Sequence, residues 1–268
     1  MKLGIIAAPK EEDFRVAADK GLDFVEFCVN AKGQDKSNRS NVDEFCAMTS
    51  TIREWIRKYG VAVGSIGRWG AGWIHPDGSV VEEEIAASIR LMETAAALGC
   101  GVFVCGCNYI PELSYYENCT AAIRLFQRLM ERGKALGVRI ATYNCRSNNF
   151  VCEPMAWKII HGHLKDLGIK YDPSHSIYDG GDYLTETAEW GSRFLHVHIK
   201  GSLRIGGRKF DDPPAGLDET DWGQFIAILI ARGYDAGLSI EPHSPNWTGE
   251  RGNRGVDFTI RYLRERMF

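Results

Sequence analysis

The chain has no C-x-x-C pair among its eight cysteines, at positions 28, 46, 100, 105, 107, 119, 145 and 152. That spacing carries zinc ribbons and dithiol redox motifs, so neither is expected. No apolar run is long. The longest apolar-rich stretch without a charge, Ala95 to Cys107, holds 13 residues, whereas a membrane-spanning helix needs about 20. The amino terminus, Met1-Lys2-Leu3-Gly4-Ile5-Ile6-Ala7-Ala8-Pro9-Lys10, meets charge too early for a secretory leader. There is no basic excess either. Lys and Arg total 32 against 35 Asp and Glu, a formal net charge of −3, which disfavours a nucleic-acid binder. Linkers, low-complexity stretches and sequence repeats are also missing. These absences lead to the expectation of a soluble, cytoplasmic chain with reduced thiols, free of membrane and nucleic-acid partners.

What is present is ordinary globular composition and a rhythm. Hydrophobic residues make up 44% of the 268 and charged residues 25%, enough for a full core. Eight short apolar runs read as strands: Leu3–Ala7, Phe24–Cys28, Val61–Ile66, Val102–Cys107, Val138–Tyr143, Ile169–Asp172, Phe194–Lys200 and Ala236–Glu241. Eight longer amphipathic runs read as helices: Glu11–Lys20, Val42–Tyr59, Val80–Leu98, Cys119–Leu136, Glu153–Leu167, Tyr183–Trp190, Asp221–Arg232 and Gly252–Arg264. The two kinds alternate, which argues for a parallel sheet of βα units. Gly21, Gly60, Gly99, Gly137, Gly168 and Gly233 stand where left-handed helix caps belong. Eight units in this length predict one (β/α)8 TIM barrel over residues 1–268.

In such a barrel the site gathers at the carboxyl ends of the strands. Side chains alternate along a strand. His196, His198 and Lys200 on the seventh strand therefore face inward, and Leu195, Val197 and Ile199 face the helices. Asp172 ends the sixth strand and Glu241 the eighth, both with inward parity. One carboxylate alone is salt-bridge material. Asp172, His198 and Glu241 at one level favour a divalent metal with mixed oxygen and nitrogen ligands.

The sequences Asp172-Pro173-Ser174-His175, His196-Val197-His198-Ile199-Lys200 and Ser239-Ile240-Glu241-Pro242-His243 resemble the xylose isomerase-like TIM-barrel superfamily, and within it the sugar phosphate isomerase/epimerase family. The segment Asp218 to Glu241, with Thr220-Asp221-Trp222 opening a helix and Arg232-Gly233-Tyr234 closing it, is similar to that family's last βα unit. The resemblance implies one divalent ion (Mn, Mg, Co or Zn) on Asp172, His198 and Glu241. It implies that His175 contacts a substrate oxygen and that Glu241 also moves a proton through an enediolate. A small sugar is the implied partner, and a homo-oligomer is allowed.

One departure matters. The family's fourth ligand and second acid/base is a Glu closing the fifth strand, and the aligned residue here is Asn144. An amide oxygen can ligate a hard cation but cannot take up a proton as a base. Glu153, nine residues on, and His175 or Lys200 are candidate replacements. Around the mouth, Trp69 and Trp73 offer faces for a sugar or an aglycone, or simply pack their loop. Asn108 and Arg146 lie in neighbouring loops. Arg204 is placed to hold an anion, while Arg208 and Lys209 read as a solvated basic loop. Glu26 and His196 face inward as substrate contacts or supports. The leading expectation is a metal-dependent sugar isomerase or epimerase. The alternatives are a lyase or hydrolase of a 3-keto sugar or glycoside working with one base, and a sugar-binding barrel without catalysis. An endonuclease IV-like role is disfavoured by the few histidines and the acidic balance.

Overall fold

A computed structural model describes residues 1–30 and 42–267. The strands are β1 (Lys2–Ala7), β2 (Phe24–Cys28), β3 (Ala62–Arg68), β4 (Val102–Cys105), β5 (Arg139–Tyr143), β6 (Gly168–Tyr171), β7 (Phe194–Ile199), β8 (Leu203–Ile205), β9 (Arg208–Asp211) and β10 (Gly237–Ile240). All but β8 and β9 close into one parallel eight-stranded barrel, in the order β1-β10-β7-β6-β5-β4-β3-β2. The helices are α1 (Glu11–Asp19), α2 (Val42–Ala47), α3 (Thr49–Tyr59), α4 (Glu82–Ala97), α5 (Tyr115–Leu136), α6 (Pro154–His163), α7 (Pro173–Tyr178), α8 (Tyr183–Trp190), α9 (Trp222–Ala231) and α10 (Gly249–Arg264). The fold is a TIM barrel, as the alternation predicts.

Local chemistry sets the boundaries. Ser114 accepts from the Glu117 amide while the Glu117 carboxylate accepts from the Ser114 amide, so α5 begins at Tyr115, ahead of the expected Cys119. Gly21, Gly60, Gly99, Gly137 and Gly233 have φ between +66° and +74°, the left-handed cap conformation. Gly168 does not. It lies in β6, and a Cβ there would strike Leu195. The expected helix over 42–59 is broken at Met48, where the Thr49 hydroxyl donates to the Cys46 carbonyl. The segment holding Arg204, Arg208 and Lys209 is a hairpin rather than a loop. Gly206 and Gly207, at φ +61° and +76°, supply its turn.

The floor of the barrel is aromatic. Phe24 points inward, and Cβ atoms built on Gly4, Gly64 and Gly237 would all collide with its ring. A bulge in β7 corrects the parity expected there. Ile169 is level with Phe194 and Lys170 with His196, so Leu195 and His196 together oppose one residue. Leu195 turns inward to pack with Val102, Val104, Ala141 and Tyr143. Val197 and Ile199 join the outer core, as expected.

Candidate active site

Four strands bring one chain of charged groups to the barrel centre. Glu26 on β2 is fully buried. It lies 2.7 Å from Nε2 of His196 and 2.9 Å from Nε2 of His198. The Nδ1 atom of His198 lies 3.0 Å from Oε2 of Glu241. Lys200 Nζ sits 3.5 Å from that oxygen and 3.0 Å from Oδ2 of Asp172. His175 completes the series, its Nε2 3.4 Å from Asp172 Oδ2 and 3.5 Å from Lys200 Nζ. Lys200 and Glu241 each follow the last residue of their strand, which sets them at the mouth. Of these three carboxylates Glu241 alone is open to solvent, its side chain 20% exposed against none for Asp172 and Glu26.

The charges follow from these neighbours. Burial acts to raise Glu26, but His198 and His196 hold it well below the usual carboxylate range. Burial likewise opposes ionisation of Glu241, and Lys200 and His198 outweigh it. His198 faces a carboxylate from each ring nitrogen. Burial acts to lower it, yet Glu26 leads the groups that raise it above its ordinary value. His175 is pushed down to about 3, by burial and then by Lys200, so its ring is neutral and can accept at one nitrogen. Asp172 and Glu241 keep Lys200 charged against its burial.

Asp172 is fixed by two further contacts. Its Oδ1 accepts from the Ser174 amide and so caps α7. Its Oδ2 is buried and accepts no well-directed hydrogen bond, although Lys200 lies beside it. A carboxylate oxygen of Asp172, a ring nitrogen of His198 and a carboxylate oxygen of Glu241 all lie within 4.8 Å of one another. Glu26 meanwhile orients the His198 ring through Nε2, the support that metal-bound histidines use. An O,N,O donor set with an orphaned carboxylate oxygen fits a divalent cation such as Mn, Co, Zn or Mg. Glu26, His196 and His198 form a second such group, deeper in the barrel.

The opposite wall is different. Asn144 does not point its amide at the cluster. Its Nδ2 donates to the Asp172 carbonyl and its Oδ1 accepts from the Asp172 amide, both at 2.9 Å. Asn108 accepts from the amides of Trp73 and Ile74 and donates to the Ile74 carbonyl. Trp73 is wholly buried in the core and offers no face to a sugar. Trp69 is half-buried and stacks on Tyr143, with ring centres 5.5 Å apart and planes at 17°. Arg146 is exposed and pairs with Asp179 and Glu153. Glu153 therefore faces Arg146, not the carboxylates. Arg204 is bound to Glu219 and the Ile177 carbonyl. Sequence reasoning missed two residues. Asn149 binds the Cys107 and Val151 amides and the Tyr143 and Cys145 carbonyls. Lys170 shares the inward parity of Asp172, a signal that was available.

The family model described as xylose isomerase-like TIM barrel matches residues 14–266, and the chain belongs to that family. Among curated proteins it is similar to the uncharacterized protein YfiH of Bacillus subtilis (strain 168), 23% identical over 168 residues. The match covers 54% of this chain and 53% of that protein, so it spans about half the length of the relative. Among solved structures it is similar to D-psicose 3-epimerase with D-tagatose from Clostridium cellulolyticum H10, with a TM-score of 0.77 at 13% identity over 100% of this chain and 99% of that one. It is also similar to 3-keto-D-glucoside 4-epimerase, YcjR, from E. coli in its apo form, with a TM-score of 0.73 at 17% identity over 99% of each chain. The IOLI protein with a binding zinc atom gives 0.74 at 16%, over 99% of this chain and 97% of that one. At these identities the likeness is one of fold. No helix among the described residues is long and apolar enough to cross a membrane.

Proposed function

We propose that the chain is a sugar isomerase/epimerase-type enzyme that takes a proton from a carbon next to a carbonyl of a small sugar or keto-sugar. The observation that carries this reading is Glu241: a carboxylate at the barrel mouth, partly open, held by His198 and beside the Lys200 ammonium. Such a group has the geometry of a general base. Lys200 and His198 keep it ionised, with its oxygens free of a proton.

Asp172, His198 and Glu241 would hold a divalent ion, which when bound supplies Lewis-acid polarisation of substrate oxygens. The remaining chemistry belongs to the chain. Glu241 accepts the proton, and the C–H electron pair moves into the enediolate. Lys200, fixed between the carboxylates, stabilises the oxygen that gains charge. Neutral His175, 23% exposed at its side chain, takes the proton of the hydroxyl that becomes the carbonyl and gives it to the oxygen that was the carbonyl. Glu241 then returns the proton to the neighbouring carbon on the same face, which interconverts aldose and ketose.

A second reading has a specific observation behind it. The Asn144 amide is tied to the main chain of Asp172, so no second carboxylate faces Glu241 from that wall. One base serves elimination from a 3-keto sugar or glycoside, where the carbanion expels its neighbour and no second proton transfer to carbon is required. The test is a panel of aldoses, ketoses and 3-keto-glycosides run in deuterated water with Mn, Co, Zn or Mg. Isomerised product carrying deuterium supports the first reading, and a released aglycone the second. No reaction in any arm with a metal-loaded, folded protein would remove both.

A further inference from the structure

Lys170 is 2% exposed and among the largest fully buried side chains of the molecule. It stands on β6, level with Tyr143 on β5 and His196 on β7. Its parity is that of Asp172, so it enters the barrel one layer beneath the mouth. Among the described residues its side chain makes no hydrogen bond and no ion pair. The other charged groups of the barrel centre, Glu26, Asp172, Lys200 and Glu241, each have an opposite charge at hand. Its Nζ keeps a little exposed surface, so three N–H donors face the barrel cavity with no protein acceptor, and a leucine would fill the strand position without bringing a charge there. The neighbours on β5 offer no counter-charge: Tyr143 is neutral, and the Asn144 amide is spent on Asp172. Yet the Lys170 charge is felt by Asp172, His175, His196, His198 and Glu241 alike, so it belongs to the same centre.

We propose that Lys170 is a substrate-binding residue whose buried ammonium receives an oxyanion of the substrate. Two sources share that chemistry: a carboxylate carried by an acidic sugar, or the enolate oxygen formed when Glu241 takes its proton, which Lys170 would then share with Lys200. The inference rests on the sugar-site reading of the barrel mouth, and it goes beyond it by assigning an anion and a residue to hold it.

The experiment uses the full chain and its Lys170→Met and Lys170→Gln variants. Calorimetry measures binding of D-glucuronate and of D-glucose to each. Steady-state kinetics follow on any sugar turned over. If the substrate carries the carboxylate, the wild type binds D-glucuronate at least about tenfold more tightly than D-glucose, and both variants lose that preference. If the anion arises only in the reaction, binding is unchanged, while kcat falls at least about tenfold with KM within about twofold. Thermal unfolding separates either case from a structural lysine: Lys170→Met keeps or raises Tm when the ammonium serves a ligand, and lowers it when the ammonium serves the fold. Variants with unaltered binding preference, kcat and KM overturn the proposal. If no sugar is turned over, the function reading fails by itself, and the Lys170 proposal is then decided by the glucuronate–glucose comparison alone.

Discussion

The two walls of the barrel mouth are built from polar residues of similar size and put them to opposite uses. On the side of β6, β7 and β10, Asp172, His198, Lys200 and Glu241 turn their polar atoms toward one another and toward the opening. On the side of β3, β4 and β5, Asn108, Asn144 and Asn149 give their amides to backbone groups of neighbouring loops. A polar residue at a strand end is therefore a site residue only if its valences are not already taken by the chain. A carboxylate has no donor, and an imidazole carries its donor and acceptor on separate ring nitrogens, whereas the amide side chain presents both side by side as a peptide group does. Asparagines wire loops, and the charged residues are left to do chemistry.

Substitutions on each wall test this contrast. On the charged wall, Glu241→Gln keeps shape and loses the base. Turnover should fall roughly a thousandfold with Tm changed little, and a loss below tenfold would remove Glu241 from the base role. Behind the other wall, His161 is fully buried between Thr142 and the Leu167 carbonyl, and burial pushes it down to about 4 from an ordinary 6.5. The unfolded chain takes up this proton as pH falls below about 6.5, and the folded chain does not until about 4. Stability should therefore decline across that window by about 3 kcal/mol. His161→Gln should flatten this part of the curve in denaturant titrations at several pH values. Asn144→Ala leaves the Asp172 amide and carbonyl without partners and should cost about 2 kcal/mol of stability. The contrast fails if that variant unfolds like the wild type but loses all metal. The smallest change is expected at Trp69→Ala, which removes the stack on Tyr143 and should cost about 1 kcal/mol in urea unfolding.

The barrel and most of the charged wall were legible in the sequence. Strand parity alone aimed Glu26, His196, His198 and Lys200 inward, because a parallel barrel holds each strand to period two. Parity failed at Leu195, where a bulge adds a residue against Lys170. Such a bulge depends on register between distant strands and has no local signature. Trp73 was misjudged because an aromatic among glycines reads alike whether it lines a mouth or fills a core. The Gly206-Gly207 turn was a readable hairpin signal, hidden by the charge of Arg208 and Lys209. The partners of Glu26 could not be read, since they are 170 and 172 residues away.

The aromatic floor has a consequence for how this chain can change. Replacing glycine by alanine is ordinarily an easy route to a more stable protein, because it narrows the unfolded ensemble. At Gly64 and Gly237 that route is shut by one ring, and at Gly4 by the same ring together with the Phe24 carbonyl oxygen. The three positions and Phe24 form a single unit of inheritance drawn from four strands. A smaller residue at 24 has to come first, and it opens room for a methyl group at Gly64 and at Gly237 that no single-step search would reach, while Gly4 stays closed by the Phe24 carbonyl.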